Sequence, residues 1–208
     1  MRADEKARAA LEAQWEKKLR IATSAADYEK DDMNHSRYEP TAYRVLSRLA
    51  ESGYIWKDDL LVDYGCGKGR VSFFLHYALG CRTVGVEYNE GLVRAAEENL
   101  ISYAGRMQEK DRISFVCANA EEYEPGNATC FYFFNPFSLR LLQAVVQRIL
   151  AAYYADPRPM RLFFYYALDP YLAYLMTEDM LQFEGEIGCG DLFDGGDARE
   201  KILVFRIG

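Results

Sequence analysis

One stretch constrains this chain more than any other: Val62-Asp63-Tyr64-Gly65-Cys66-Gly67-Lys68-Gly69-Arg70. A short apolar run, Leu60–Tyr64, leads into it, and an apolar helical run, Val71–Leu79, leaves it. A strand that turns through glycines into a buried helix opens an α/β unit. The alternation continues downstream. Arg82–Glu87 reads as a strand, Glu90–Tyr103 as an amphipathic helix and Ile113–Ala118 as a strand. Cys130–Phe134 and Arg161–Ala167 read as strands too, separated by a long helix over Ser138–Tyr154. The unbroken aromatic runs Phe131–Phe134 and Phe163–Tyr166 suit central strands buried on both faces, which need not alternate. Pro170–Thr177 reads as a short helix. Leu181–Ile187 and Lys201–Ile207 flank a Gly/Asp-rich turn with no helix between them, so they are expected to pair as an antiparallel hairpin. The expected fold is α/β and doubly wound. Its seven-stranded sheet is mostly parallel, with an antiparallel C-terminal hairpin and helices on both faces.

Upstream of this core, Glu5–Arg20 has a helix-forming composition, and Asp27–Ser36 is polar and reads as a loop. Pro40 is expected to open a second helix over Thr41–Glu51. The chain therefore divides into an N-terminal helical extension, 1–37, and a core domain, 38–208. With 50% hydrophobic and 27% charged residues it can bury a core, which argues against disorder. Its apolar runs are too short to span a bilayer, and Met1–Glu5 is charged rather than signal-like. The five cysteines are scattered and form no CxxC pair, so no zinc site or disulfide framework is indicated. Reduced thiols and a cytoplasmic location are expected. The net charge of −7 weighs against gripping nucleic-acid phosphates.

The glycine loop sits where a doubly wound sheet binds ligands, at the carboxyl end of its first strand. It is not a phosphate-binding P-loop, which requires GxxxxGK followed by Ser or Thr. The dinucleotide fingerprint GxGxxG needs glycine at position 70, which is Arg70. Asp63 beside the loop would repel a pyrophosphate and attract a ligand that carries an ammonium and a sulfonium. S-adenosylmethionine is such a ligand. Glu87 ends the second strand, 24 positions after Asp63, where an acid accepts hydrogen bonds from ribose hydroxyls and disfavours a 2′-phosphate. Asn119, after the third strand, could hold an adenine edge.

With these pieces in order, the chain resembles the class I S-adenosylmethionine-dependent methyltransferases from about Tyr38 to its C-terminus. The resemblance implies that Asp63 and the backbone of Gly65, Cys66, Gly67 and Gly69 contact the methionine part of the cofactor. It places Glu87 on the ribose, Tyr88 on the adenine face, and Asn119 and Ala120 at the adenine edge. Asn119 stands where the family more often has Asp. Tyr38-Glu39-Pro40-Thr41 is similar to a segment of some small bacterial members, which implies that Tyr38 and Thr41 lie near the methionine end. The upstream helix and loop would then form a lid that excludes water. Asn135-Pro136-Phe137 resembles the Asn/Asp-Pro-Pro-Tyr/Phe element of N-methyltransferases, with one proline missing. There the Asn side chain and a prolyl carbonyl accept hydrogen bonds from the target nitrogen, and the ring stacks on the substrate. Asn135, Pro136 and Phe137 are therefore the candidate catalytic residues, with Asn135 also beside the cofactor.

Each assignment competes with a plainer one. Asn135-Pro136 could cap the helix that follows. Asn119 could serve a turn, and Tyr38 and Tyr43 could be core. His76 reads as a packing residue, and nothing is assigned to His35. The acids of Asp191–Asp197 lack the spacing of a calcium loop and read as a solvated turn, so no metal is expected. The expected activity is methyl transfer to nitrogen, with a small molecule or a protein side chain as acceptor. The alternative is a non-catalytic S-adenosylmethionine-binding module that acts through a partner, which the contracted Asn-Pro-Phe element would favour.

Overall fold

A computed structural model describes residues 3–24, 38–103 and 111–208. His35 and the Asp27–Ser36 stretch lie outside the described residues. The element order is α1 (Ala3–Leu19), α2 (Tyr43–Glu51), β1 (Leu60–Tyr64), α3 (Arg70–Leu79), β2 (Arg82–Glu87), α4 (Glu90–Ser102) and β3 (Ile113–Cys117). It continues with β4 (Cys130–Phe133), α5 (Leu139–Ala155), β5 (Met160–Tyr165), α6 (Asp169–Leu175), β6 (Gln182–Gly188) and β7 (Lys201–Ile207).

The seven strands form one sheet in the order β3-β2-β1-β4-β5-β7-β6. The first five are parallel, and β7 runs antiparallel to both β5 and β6. The expected hairpin is present, but its second strand is the inner one. The sequence explains this order: β7 is buried along most of its length, whereas β6 is mostly polar or half-exposed and tolerates the edge.

Successive side chains of the central strands feed two cores. Leu61, Cys130, Tyr132, Phe163 and Tyr165 join the core beneath α2 and α3, with Leu46, Leu49, Phe73 and Phe74. Val62, Tyr64, Phe131, Phe133, Leu162 and Phe164 join the core beneath α5, with Leu142, Val145, Val146 and Ile149. The aromatic runs of β4 and β5 are thus buried on both faces. Across the sheet, Tyr64, Phe133 and Phe164 stack with centroids 5.2 and 4.6 Å apart.

Helix α2 begins at Tyr43, two residues later than its composition suggests. Ala42 is its N-cap and supplies no side-chain bond, but the Glu12 carboxylate accepts from the Tyr43 N–H at 3.0 Å. Helix α1 packs on this chain's own core, with Trp15 stacked beside Tyr43 and edge-on to Phe74. His76 is buried, its Nδ1 2.8 Å from the Cys81 carbonyl, as a packing residue should be.

Candidate active site

The order of the sheet places β1 between β2 and β4, so the chain leaves β1 at the topological switch point. The glycine loop begins there. Gly65 and Gly67 adopt φ of +74° and +53°, a region closed to most side chains. Each glycine also admits a neighbour. A Cβ on Gly65 would lie 2.5 Å from Pro136 Cβ, and one on Gly67 would collide with the ring of Tyr38. Two segments far away in sequence therefore rest directly on the loop. The loop's N–H groups are held from β2: Gly65 and Cys66 donate to the Val86 carbonyl at 2.8 and 3.1 Å, and Gly67 donates to Glu87 Oε2 at 3.1 Å.

A cavity opens over the ends of these strands, with about 960 Å³ of free space including its mouth. Its walls include Tyr38, Thr41, Asp63, Gly65, Cys66, Glu87, Tyr88, Ala120, Pro136 and Phe137, ten of the expected site residues. Gly67, Gly69 and Asn119 are not among its lining residues, nor is Asn135, which lies between the lining residues Phe134 and Pro136. Beyond β3 the chain turns Ala118 and Ala120 inward, while the Asn119 amide donates to Glu121 at 3.3 Å. Its Oδ1 is buried and has no hydrogen-bond partner among the described residues. Phe137 is buried against Tyr64 and Phe133, and its carbonyl accepts from Tyr171. Phe134, half-buried and backed by Tyr165, is the more accessible ring of that element.

The electrostatics of the cavity turn on Asp63. Its side chain is buried, and its Oδ2 has no hydrogen-bond partner among the described residues. Burial, with a smaller contribution from the Glu87 charge, pushes its pKa up to about 8. A carboxyl held this way gains from any cation placed beside it. Glu87 is better satisfied, since Oε2 takes the Gly67 N–H and Oε1 takes the Asn89 N–H at 2.9 Å. A carboxylate oxygen can accept more than one hydrogen bond, so a ribose hydroxyl can share it. Asn89 also caps α4, accepting from Gly91 and Leu92.

Two residues beyond β4, Asn135 adopts a left-handed conformation, φ +41°. Ser138 caps α5 through the Leu141 N–H, so Asn135 is not the helix cap. Its Nδ2 donates to the Tyr166 carbonyl at 2.6 Å. A carbonyl accepts only, so the amide must face it with nitrogen, and Oδ1 is left buried without a partner among the described residues. Tyr166 is itself left-handed, φ +54°, and its hydroxyl donates to Asp197 at 2.5 Å. The three aspartates of the β6–β7 connection are ion-paired: Asp191 with Arg48, Asp194 with Arg8 and Asp197 with Arg199.

Sequence reading missed Arg70 and Tyr132, which also line the cavity. Tyr132 sits within an aromatic run that reads as core, and only its hydroxyl, 3.0 Å from Thr41 Oγ1, betrays a second role. Arg70 figured only as the residue that breaks a dinucleotide fingerprint.

Residues 61–155 match a family described as "Methyltransferase domain". A protein-lysine N-methyltransferase of Saccharolobus islandicus (strain REY15A) is 31% identical over 96 residues, 46% of this chain and 57% of that protein. The match thus spans little more than half the length of that relative. Among solved structures, an RNA methyltransferase from Salinibacter ruber in complex with S-adenosyl-L-homocysteine has a TM-score of 0.53 at 21% identity, covering 81% of this chain and 92% of its own. A protein of the NADB-Rossmann superfamily from Streptococcus agalactiae reaches 0.58 at 17% identity, covering 82% and 70%. At those identities the structures establish a shared fold. In this chain the unpartnered Asp63 carboxyl and the Glu87 carboxylate would suit a ligand with a cationic end and ribose-like hydroxyls.

Proposed function

We infer that this chain, whose residues 61–155 match a methyltransferase domain, transfers the methyl group of S-adenosylmethionine to a nitrogen, on a small molecule or, better, on the amine of a protein side chain. The observation that carries the choice of nitrogen is the Asn135 amide, anchored by its Nδ2 with its Oδ1 buried and unpartnered. An acceptor left so costs about 1–3 kcal/mol, a cost that a ligand N–H would remove. The similarity to a protein-lysine N-methyltransferase supports an amine on a protein. So does Glu39, an exposed acid at the cavity that would attract an ammonium.

When bound, S-adenosylmethionine supplies an electrophilic methyl carbon whose leaving group is a neutral thioether. The chain supplies position, which can contribute most of such a rate enhancement. Asp63 holds the cationic end of the cofactor and Glu87 its ribose. Asn135 Oδ1 accepts an N–H of the neutral amine and turns its lone pair toward the methyl carbon. Phe134 and Pro136 exclude water beside it. The proton that the product amine sheds passes to solvent, because no side chain of the element is a strong base.

The test is to incubate the protein with S-adenosylmethionine labelled in its methyl group and a cell extract. Label that survives nuclease, is lost with protease and hydrolyses to methylated lysine supports the reading. Nuclease-sensitive label would move the acceptor to RNA or DNA. Tight cofactor binding with no transferred label would leave a binding module rather than an enzyme.

A further inference from the structure

The N-terminal helix meets the cofactor cavity at a single buried cation. The inward face of α1 is formed by Arg8, Leu11, Glu12, Trp15, Glu16 and Leu19, which recur at helical spacing. Two of these are carboxylates, and a helix does not turn acids toward a core without a partner. The partner is Arg70, the first residue of α3, with only 3% of its surface exposed. All five of its N–H donors are used. Nε donates to Thr23 Oγ1 at 2.7 Å, and Nη1 to Glu12 Oε2 and to the Thr41 carbonyl. Nη2 donates to Ser24 Oγ at 2.9 Å and to Glu16 Oε1 at 3.4 Å. The guanidinium also lies over the Tyr43 ring, 4.4 Å from its centre.

The acceptors are arranged to hold one wall of the cavity. Thr41 takes Arg70 on its carbonyl and Tyr132 on its hydroxyl. The Tyr38 hydroxyl donates to the Thr23 carbonyl at 2.7 Å, and Thr23 is fixed to Glu16 through both its N–H and its hydroxyl. Tyr38, Glu39, Pro40 and Thr41 all line the cavity. This wall stands at the β1–β4 end, where Asp63 and Tyr132 are register partners. The Glu87, Tyr88 and Ala118 walls stand at the β2–β3 end. With every donor of Arg70 committed, the guanidinium is a fastener and not a free anion site.

We propose that Arg70 is a positioning residue that couples the docking of α1, through Glu12 and Glu16, to occupancy of the amino-acid end of the cofactor cavity. A ligand that touches the Tyr38–Thr41 wall binds more tightly when that wall is in place, so by linkage it must also stabilise α1 on the core. A ligand confined to the β2–β3 end gains nothing from α1. The coupling rests on S-adenosylmethionine as cofactor and is independent of the methyl acceptor.

The test compares S-adenosylhomocysteine with 5′-methylthioadenosine, which keeps the nucleoside and the sulfur but lacks the amino-acid part. Calorimetric titration of Arg70→Lys, and of a Glu12→Gln/Glu16→Gln variant that leaves the core arginine in place, reads the coupling. We expect the affinity for S-adenosylhomocysteine to fall at least tenfold in both, and that for methylthioadenosine to change less than threefold. In the unmutated chain, hydrogen exchange of the α1 amides should slow when S-adenosylhomocysteine is added and stay unchanged with methylthioadenosine. Equal losses for both ligands would mean general destabilisation and overturn the proposal. So would unchanged affinities, or α1 amides that ignore S-adenosylhomocysteine. If neither ligand binds the unmutated chain, the cofactor assignment fails first.

Discussion

Replacing Asp63 with asparagine should do two opposite things. In the free protein the carboxyl is buried, one oxygen lacks a partner, and its pKa is pushed up to about 8, above the ordinary 3.8. The native state therefore holds a proton that the unfolded chain releases above about pH 4. Stability contributed by this group falls as pH rises from about 4 to 8, because there the unfolded state binds fewer protons than the native one. At pH 7 the cost approaches about 4 kcal/mol as an upper bound, from roughly three pH intervals of about 1.4 kcal/mol each. Asp63→Asn removes the titration and keeps the shape, so it should raise the melting temperature at pH 7–8 and leave it nearly unchanged at pH 4. Cofactor binding should suffer at the same time, since the amide offers no charge to the ammonium or sulfonium. The unmutated protein should show the linkage directly. About one Asp63 in ten is ionised at pH 7 if its pKa is 8. A cationic ligand pulls the proton off, so affinity should rise nearly tenfold from pH 6 to pH 7. It should peak near pH 8, where the ligand's own α-amino group (about 7.7–8.0) begins to lose its charge. Calorimetry in two buffers of different ionisation heat counts the protons, with close to one released per cofactor bound at pH 7. Flat affinity between pH 6 and 7, or no proton release, would refute the assignment of Asp63 to the cationic end.

Three further substitutions probe the rest of the site. Glu87→Ala should weaken S-adenosylmethionine binding by on the order of 1.5–3 kcal/mol, since hydrogen bonds to a charged acceptor are lost. Unchanged affinity in the folded variant, measured by calorimetry, would remove Glu87 from the ribose. Asn135→Ala should leave cofactor affinity within about threefold and abolish most methyl transfer, because the lost acceptor serves only the amine. If both fall together, the Asn135–Tyr166 bond is structural instead. Gly67→Ala should lose cofactor binding, since φ of +53° disfavours the new Cβ and the Tyr38 ring stands where it would go. Retained affinity would mean that Tyr38 does not rest on the loop.

The strands, the helices after them and the glycine loop were all readable before the structure, because each is written in residues close together in the chain. A buried strand shows as an apolar run, and a turn with positive φ shows as glycine. Glu87 was readable for the same reason, as the acid closing the strand next to the loop. The N-terminal helix shows the limit of this reading. Its inward face carries Glu12 and Glu16, so its apolar pattern is broken, and only the distant Arg70 makes sense of the break.

What sequence alone determined, then, was the kind of unit, the place of the glycine loop and the acid that flanks it. Tertiary structure decided which side chains face the cavity. It brought Ala120 to the cavity wall, set the Asn135 amide by a carbonyl 31 residues later, and joined the Tyr132 hydroxyl to Thr41 within the core. It also seated β7 inside β6 and bound α1 to the glycine loop. The physical reason is range. Propensity, periodicity and backbone conformation act within a few residues, whereas the partner of a buried polar atom can come from any part of the chain that folding brings within about 3 Å.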